Sequence, residues 1–202
     1  MQFNEFFPVC VLQTNIPTEV ADAVEAAVVP ELHKLTREKN INDSIGEGYT
    51  AVETMSTDFW ENKIPVHELV PDFFEYVQKA VLAYQDETSI HINPDFKIRY
   101  WTQDYLENDS HDVHMHGIHG ISGTYYVRSN QNAGPIRFYN PNPLAEYVRA
   151  GNPGNKYIRA HNDIYPEKSL LLIFPSYIKH KVLQSSTDTI RTSISFDICP
   201  GS

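Results

Sequence analysis

The apolar positions change period once along the chain. Over residues 20–39 they fall at Val20, Val24, Ala27, Val28, Leu32 and Leu35, and over residues 65–85 at Leu69, Phe73, Val77, Ala80, Val81 and Tyr84. Both sets keep the three-to-four-residue spacing that lines one side of a helix, so two amphipathic helices are predicted, the first with a kink expected at Pro30. A short apolar strand at residues 6–12 precedes them. Residues 40–61, punctuated by Gly46, Gly48, Thr50, Thr54 and Thr57, read as a loop with one strand near 50–53. After Pro94 the period drops to two, in short runs at residues 96–102, 113–116, 121–128, 135–139, 157–160, 169–174, 179–184 and 189–198. Short alternating strands at this spacing indicate an antiparallel sandwich or barrel, so the predicted class is α+β, with the helices packed outside the sheets. No internal repeat or linker divides the chain, and residues 1–202 read as one domain in which 1–93 support a core of 94–202. The Pro/Asn-rich stretch 140–155 reads as a long loop of the type that borders sites.

Histidine is the residue type that concentrates on this frame. Four of the nine, His111, His114, His116 and His119, lie within nine residues, among Gly117, Gly120 and Gly123. Residues two apart on a strand point to the same face, so His114 and His116 can reach one metal ion. His180 is the best third ligand, because it follows an apolar strand and the 64 residues from His116 leave room for a return to the same sheet. Asp112, two residues before His114, is the alternative carboxylate ligand. The last strand alternates Arg191, Ser193, Ser195 and Asp197 with Ile190, Thr192, Ile194, Phe196 and Ile198. If the apolar side packs on the helices, the polar side lines either solvent or a cavity, and in a cavity Arg191 can clamp a carboxylate with help from the Ser193 hydroxyl.

Composition narrows the partners. Sixteen basic against 26 acidic residues give a formal charge of −10 with no basic run, which argues against binding a phosphate backbone, so no nucleic-acid partner is expected. No apolar stretch approaches the roughly 20 residues that span a bilayer, and the N-terminal residues carry Glu5 without a basic segment. A soluble, cytoplasmic protein without a membrane partner is therefore expected. Two cysteines, Cys10 and Cys199, are too few for a disulfide framework and fit a reducing compartment.

The sequence resembles the Fe(II)/2-oxoglutarate-dependent dioxygenases, and within them a small bacterial and phage group similar to prolyl hydroxylases. The resemblance rests on His114-Met115-His116, on Ser122-Gly123-Thr124-Tyr125-Tyr126, and on Gly134, Phe138 and Pro141 in residues 134–141. It continues in Phe174-Pro175-Ser176 leading to His180, and in Arg191-Thr192-Ser193 leading to Phe196. It is close over residues 96–198 and implies a double-stranded β-helix (jelly roll) supported by the two helices. It further implies Fe(II) on His114, His116 and His180, with 2-oxoglutarate as a small-molecule cosubstrate, O₂ as oxidant and ascorbate as a supporting reductant. Arg191 and Ser193 would hold the far carboxylate of 2-oxoglutarate, with Tyr100 and Ser122 sharing that role by analogy with prolyl hydroxylases. His116 stands where the wider superfamily has Asp or Glu. The literal H-x-D at His161-Asn162-Asp163 falls too late for the strand order and reads as a loop, and His111 and His119 are placed at the mouth of the barrel.

The reaction so implied is hydroxylation of an aliphatic C–H with release of succinate and CO₂. A proline of a peptide or protein is the first substrate, followed by a free amino acid or other small metabolite. A homodimer is compatible with this reading, and a phage-encoded form would work in its host's cytoplasm. Two rivals remain at this point. A cupin also uses H-x-H and a distal His, but would add a Glu where Gly120 and Ile121 stand and an Asn where Gln184 stands. A non-enzymatic jelly-roll binding or virion module would keep the histidines for structure alone.

Overall fold

In the computed structural model the described residues are 9–38, 55–56, 64–93, 96–117, 120–130, 132–142, 159–185 and 190–199. The expected strand near residues 50–53, most of the 140–155 loop, and His119 lie outside them. In chain order the elements are β1 (Leu12–Asn15), α1 (Thr18–Glu38), β2 (Met55–Ser56), α2 (Val66–Leu69), α3 (Pro71–Thr88), β3 (Lys97–Tyr105), β4 (His111–His114), β5 (Ile121–Arg128), β6 (Ile136–Tyr139), β7 (His161–Ile164), β8 (Leu170–Pro175), β9 (His180–Val182) and β10 (Arg191–Cys199). They form two sheets, one ordered β1-β8-β5-β10-β3-β2 and the other β4-β9-β6-β7. All the pairings are antiparallel.

The period of two explains how one sheet serves two cores. In β8, Leu171 and Ile173 enter the layer under the helices, while Leu170, Leu172 and Phe174 enter the layer between the sheets. β5 sends Ile121, Tyr125 and Val127 to the helices and Tyr126 to the other side. β10 sends Ile194, Phe196 and Ile198 to the helices, as its alternation predicts, leaving Arg191, Ser193, Ser195 and Asp197 for the inside of the roll. Gly123 is required by close approach, since a Cβ there would lie 2.6 Å from the carbonyl oxygen of Leu172 and closer still to the Phe196 ring.

The helices cover the outer face of the larger sheet. Val24, Val28 and Leu32 of α1 are buried there, each worth about 1.5–3 kcal/mol. Together they offset the ~3 kcal/mol that Pro30 costs inside the same helix. The second predicted helix is divided in two, because Pro71 at the start of α3 forces Val70 out of the helical region (φ −141°, ψ 72°). Three strand boundaries also differ from expectation. Among the described residues the first strand is Leu12–Asn15, later than residues 6–12, the strand expected at 113–116 is His111–His114 and ends before His116, and the strand expected at 157–160 is His161–Ile164. The H-x-D trio is therefore a strand and not a loop, with Asp163 ion-paired to Arg137 through two bonds of 2.7 Å. No helix among the described residues is long and apolar enough to cross a membrane.

Candidate active site

Two neighbouring strands of the smaller sheet bring the histidines together. β4 pairs with β9 so that His114 faces His180 directly across the ladder, with ring centroids 4.2 Å apart. His116 lies beyond the end of β4, and its backbone N–H bonds the Ser176 carbonyl at 2.9 Å. Gly117 (φ 77°) and Gly120 (φ 78°), in the left-handed region, reverse the chain just after it. One ring nitrogen from each of His114, His116 and His180 lies within 4.8 Å of the others.

Each ring is also oriented. Nδ1 of His114 donates to the Asp112 carbonyl (2.7 Å) and Nδ1 of His180 donates to the Ile178 carbonyl (3.0 Å), because a carbonyl can only accept. Nδ1 of His116 bonds the Asp197 carboxylate at 2.7 Å. With all three Nδ1 atoms committed, the nitrogens left for a metal are the three Nε2, which is the arrangement metal-binding histidines adopt. Burial, with a smaller contribution from the neighbouring imidazoles, pushes His114 down to about 4 and His180 well below the ordinary range. These two rings are therefore neutral at physiological pH, with lone pairs available. Asp112 is exposed and outside the trio; a register irregularity between His111 and His114 separates it from them, and only its backbone carbonyl takes part.

The other end of the cavity is cationic. Arg191, 2% exposed, is stacked on the Tyr105 ring at 4.0 Å and donates from Nη1 to the Gly134 carbonyl. A Cβ at Gly134 would lie 1.8 Å from the Leu183 carbonyl oxygen, so only glycine lets the chain pass close enough to present that carbonyl. Nε of Arg191 is buried without a hydrogen-bond partner among the described residues. Burial presses its pKa down while Tyr105, Tyr126 and Asp109 oppose that. A guanidinium nevertheless stays charged in proteins, so this is a buried cation with bonding capacity to spare. A cavity of about 440 Å³, counted out to its open mouth, joins this end to the three histidines, with Ser193 on its wall.

Two predicted cosubstrate residues are placed elsewhere. Tyr100 faces the helices, with its hydroxyl donating to the Ile64 carbonyl (3.1 Å) and paired with His67 Nδ1 (2.9 Å). The residues β3 turns to the cavity are Trp101, Gln103 and Tyr105. Ser122 is on the inner side of β5, but its hydroxyl is bound to Ser176 and Asp197, each at 2.7 Å, and it does not line the cavity. Thr124 and Tyr126 do. Replacing Tyr100 by Phe is accordingly expected to leave 2-oxoglutarate affinity unchanged while costing about 1–3 kcal/mol of stability, since the buried Ile64 carbonyl loses its donor. Calorimetric titration and urea unfolding of the variant check the two halves. His111 lines the cavity as expected of a mouth residue, stacked on His114 at 3.9 Å and 3.4 Å from the Tyr105 hydroxyl. Asp197 was legible as a polar-face residue of β10, but nothing in its spacing announced a bond to His116.

The model of a family described as "Putative 2OG-Fe(II) oxygenase" matches residues 99–197, the stretch that carries every one of these cavity residues. Over these residues the chain is a 2-oxoglutarate-dependent oxygenase. This oxygenase also has the family's fold. A prolyl-4-hydroxylase from Pseudomonas putida superposes with a TM-score of 0.61 at 14% identity, over 95% of this chain and 93% of that one. AviO1 from Streptomyces viridochromogenes gives 0.62 at 10% identity, over 94% and 89%. HygX from Streptomyces hygroscopicus, crystallised with nickel, 2-oxoglutarate and hygromycin B, gives 0.57 at 10%, over 94% and 82%. A search of curated proteins returns no match. The architecture is thus the double-stranded β-helix that the motifs imply, and the enzyme uses Fe(II), 2-oxoglutarate and O₂. The cupin and binding-module readings fall away.

Proposed function

We propose that this oxygenase hydroxylates an aliphatic C–H bond, holding Fe(II) on His114, His116 and His180 and the distal carboxylate of 2-oxoglutarate on Arg191 and Ser193. The carrying observation is one cavity with three pre-oriented imidazoles at one end and a buried, under-bonded guanidinium at the other. The donor set fits a ferrous ion, because neutral imidazole nitrogens suit Fe(II) and a face of three ligands leaves positions open for cosubstrate and O₂. When bound, the iron and 2-oxoglutarate supply oxidative decarboxylation to succinate and CO₂ with delivery of one oxygen atom to the substrate. The chain's own part is to hold and orient. The carbonyls of Asp112 and Ile178 fix two rings, Tyr105 and Gly134 fix the guanidinium, and Phe138 and Phe174, packed on His180 at 5.7 and 5.0 Å, keep the inner side apolar. His116 fills the third ligand position, so no place is freed there for a halide, which favours hydroxylation over halogenation.

A prolyl residue of a peptide or protein is the substrate we favour, supported by the likeness to prolyl hydroxylases, one of them from Trichoplax adhaerens in complex with a peptide fragment. A small metabolite is the second reading, supported by HygX, whose complex contains hygromycin B. The test is a turnover screen with Fe(II), ascorbate and 2-oxoglutarate, following succinate against proline-containing peptides and small metabolites, with products weighed for one added oxygen. Proline peptides are expected to stimulate succinate formation and gain 16 mass units (one oxygen, ~16 Da). Succinate stimulated only by metabolites overturns the prolyl assignment, and none from iron-loaded protein overturns the proposed site.

A further inference from the structure

Three adjacent strands set a row of polar groups behind His116. Asp197 on β10 is in register with Arg99 on β3 and with Ser122 on β5. Its carboxylate, 1% exposed, bonds Arg99 Nη2 at 2.6 Å, Ser122 Oγ at 2.7 Å and His116 Nδ1 at 2.7 Å. Ser122 also bonds the Ser176 hydroxyl at 2.7 Å, and the Ser176 carbonyl takes the His116 backbone N–H at 2.9 Å. His116 is thereby held by ring and by backbone through a single connected network. Asp197 belongs to no other function on the page: it lines no part of the cavity and is outside the metal-binding trio.

We propose that Asp197 is a positioning residue that gives the metal centre, through His116, the negative charge that a carboxylate ligand gives in two-His, one-carboxylate sites. This rests on the metal assignment proposed above. Three neutral imidazoles leave the ferrous site one unit more positive than two imidazoles and a carboxylate. The charge missing at position 116 is found one hydrogen bond behind it. Arg99 Nη2 and Ser122 Oγ both donate to this carboxylate, and such charge-assisted bonds favour its ionised form. Arg99 pairs with Oδ2 and offsets part of this charge, while the other oxygen, Oδ1, is the one that meets His116. An ionised acceptor on Nδ1 makes the imidazole a stronger donor through Nε2 and fixes the ring, and loss of such a partner typically costs about 10–100-fold in metal affinity.

The experiment is anaerobic Fe(II) titration by calorimetry, paired with visible absorption of the Co(II)-loaded protein and thermal unfolding of the apo form. Asp197→Asn is expected to weaken Fe(II) by about 10–100-fold and to shift the Co(II) ligand-field bands. In a His116→Asp background the same change is expected to cost nothing or to tighten binding, since two carboxylates would then face one another. Arg99→Gln, a milder change that leaves the Asp197 carboxylate in place, is expected to bind Fe(II) at least as tightly as wild type. An Asp197→Asn protein with wild-type affinity and spectrum overturns the inference, as does an equal loss in both backgrounds, which a purely structural role would give. Should Asp197→Asn fail to fold, weakened binding by Arg99→Gln overturns it. Wild-type protein that binds neither ion overturns the metal assignment itself, a result distinct from these.

Discussion

His180→Ala is expected to abolish retention of Fe(II) and, with it, succinate formation, whereas Asp112→Ala should leave both at the wild-type level. His180 is 3% exposed and lies opposite His114 in the β4–β9 ladder, so no water-exposed side chain can swing in to replace it. Its neighbours Phe138 and Phe174 offer no donor. Two imidazoles then remain where three were aimed, and a divalent ion held by two neutral ligands near solvent exchanges freely. The fold is expected to survive, because the lost ring makes one hydrogen bond, to Ile178, and its burial already disfavours the protonated form. Metal analysis after gel filtration, with circular dichroism as the folding control, checks this. The same loss is expected for His114→Ala and His116→Ala. Iron kept by His116→Ala and lost by Asp112→Ala would reverse the ligand assignment.

Arg191→Ala is the second large effect, expected to weaken 2-oxoglutarate by well over tenfold. A buried charge pair deprived of one partner is penalised by about 2–5 kcal/mol, and the cavity offers the cosubstrate no second cation among its described residues. The loss should fall chiefly on the KM for 2-oxoglutarate, since Arg191 lies at the end of the cavity away from the three histidines. Arg191→Lys is expected to restore little. An ammonium lacks the planar surface that stacks on Tyr105 and the fork that can bond Gly134 and a carboxylate together. Titration of 2-oxoglutarate into metal-loaded variants reads the affinity, and an unchanged value for Arg191→Ala would remove the arginine from the cosubstrate site.

Periodicity along a strand reveals a face, but neither its phase nor its depth. Residues 121–128 were placed as a strand with the bounds the structure shows, because apolar residues of β5 recur on one face and Gly123 breaks nothing in that pattern. The likeness to prolyl hydroxylases puts Tyr100 in the cavity, and a single step of pleat phase reverses that. Only the pairing of Tyr105 with Arg191, and of Gln103 with Ser193, fixes which residues of β3 turn inward. Ser122 was on the correct face but at the wrong depth, since depth along a strand is set by what packs beside it, here Asp197 and Ser176. The single predicted helix over 65–85 became two because Pro71 acts on Val70 locally, a signal present in the sequence but masked by the continuous apolar stripe.

Fold class and enzyme family are legible in the chain alone, as are the residue types of the candidate site. Helical and strand periods follow from local backbone geometry, and His114, His116, His180 and Arg191 stand in an order that few chemistries need. Which groups complete them emerges only in the folded sheets. The Asp197 carboxylate, the Gly134 carbonyl and the Tyr105 ring reach His116 and Arg191 across 81, 57 and 86 residues of chain, through strand register and close backbone approach. Hydrogen bonds of that kind depend on tenths of an ångström between strands that neighbour one another only in the folded sheet, and no periodicity along the chain encodes them.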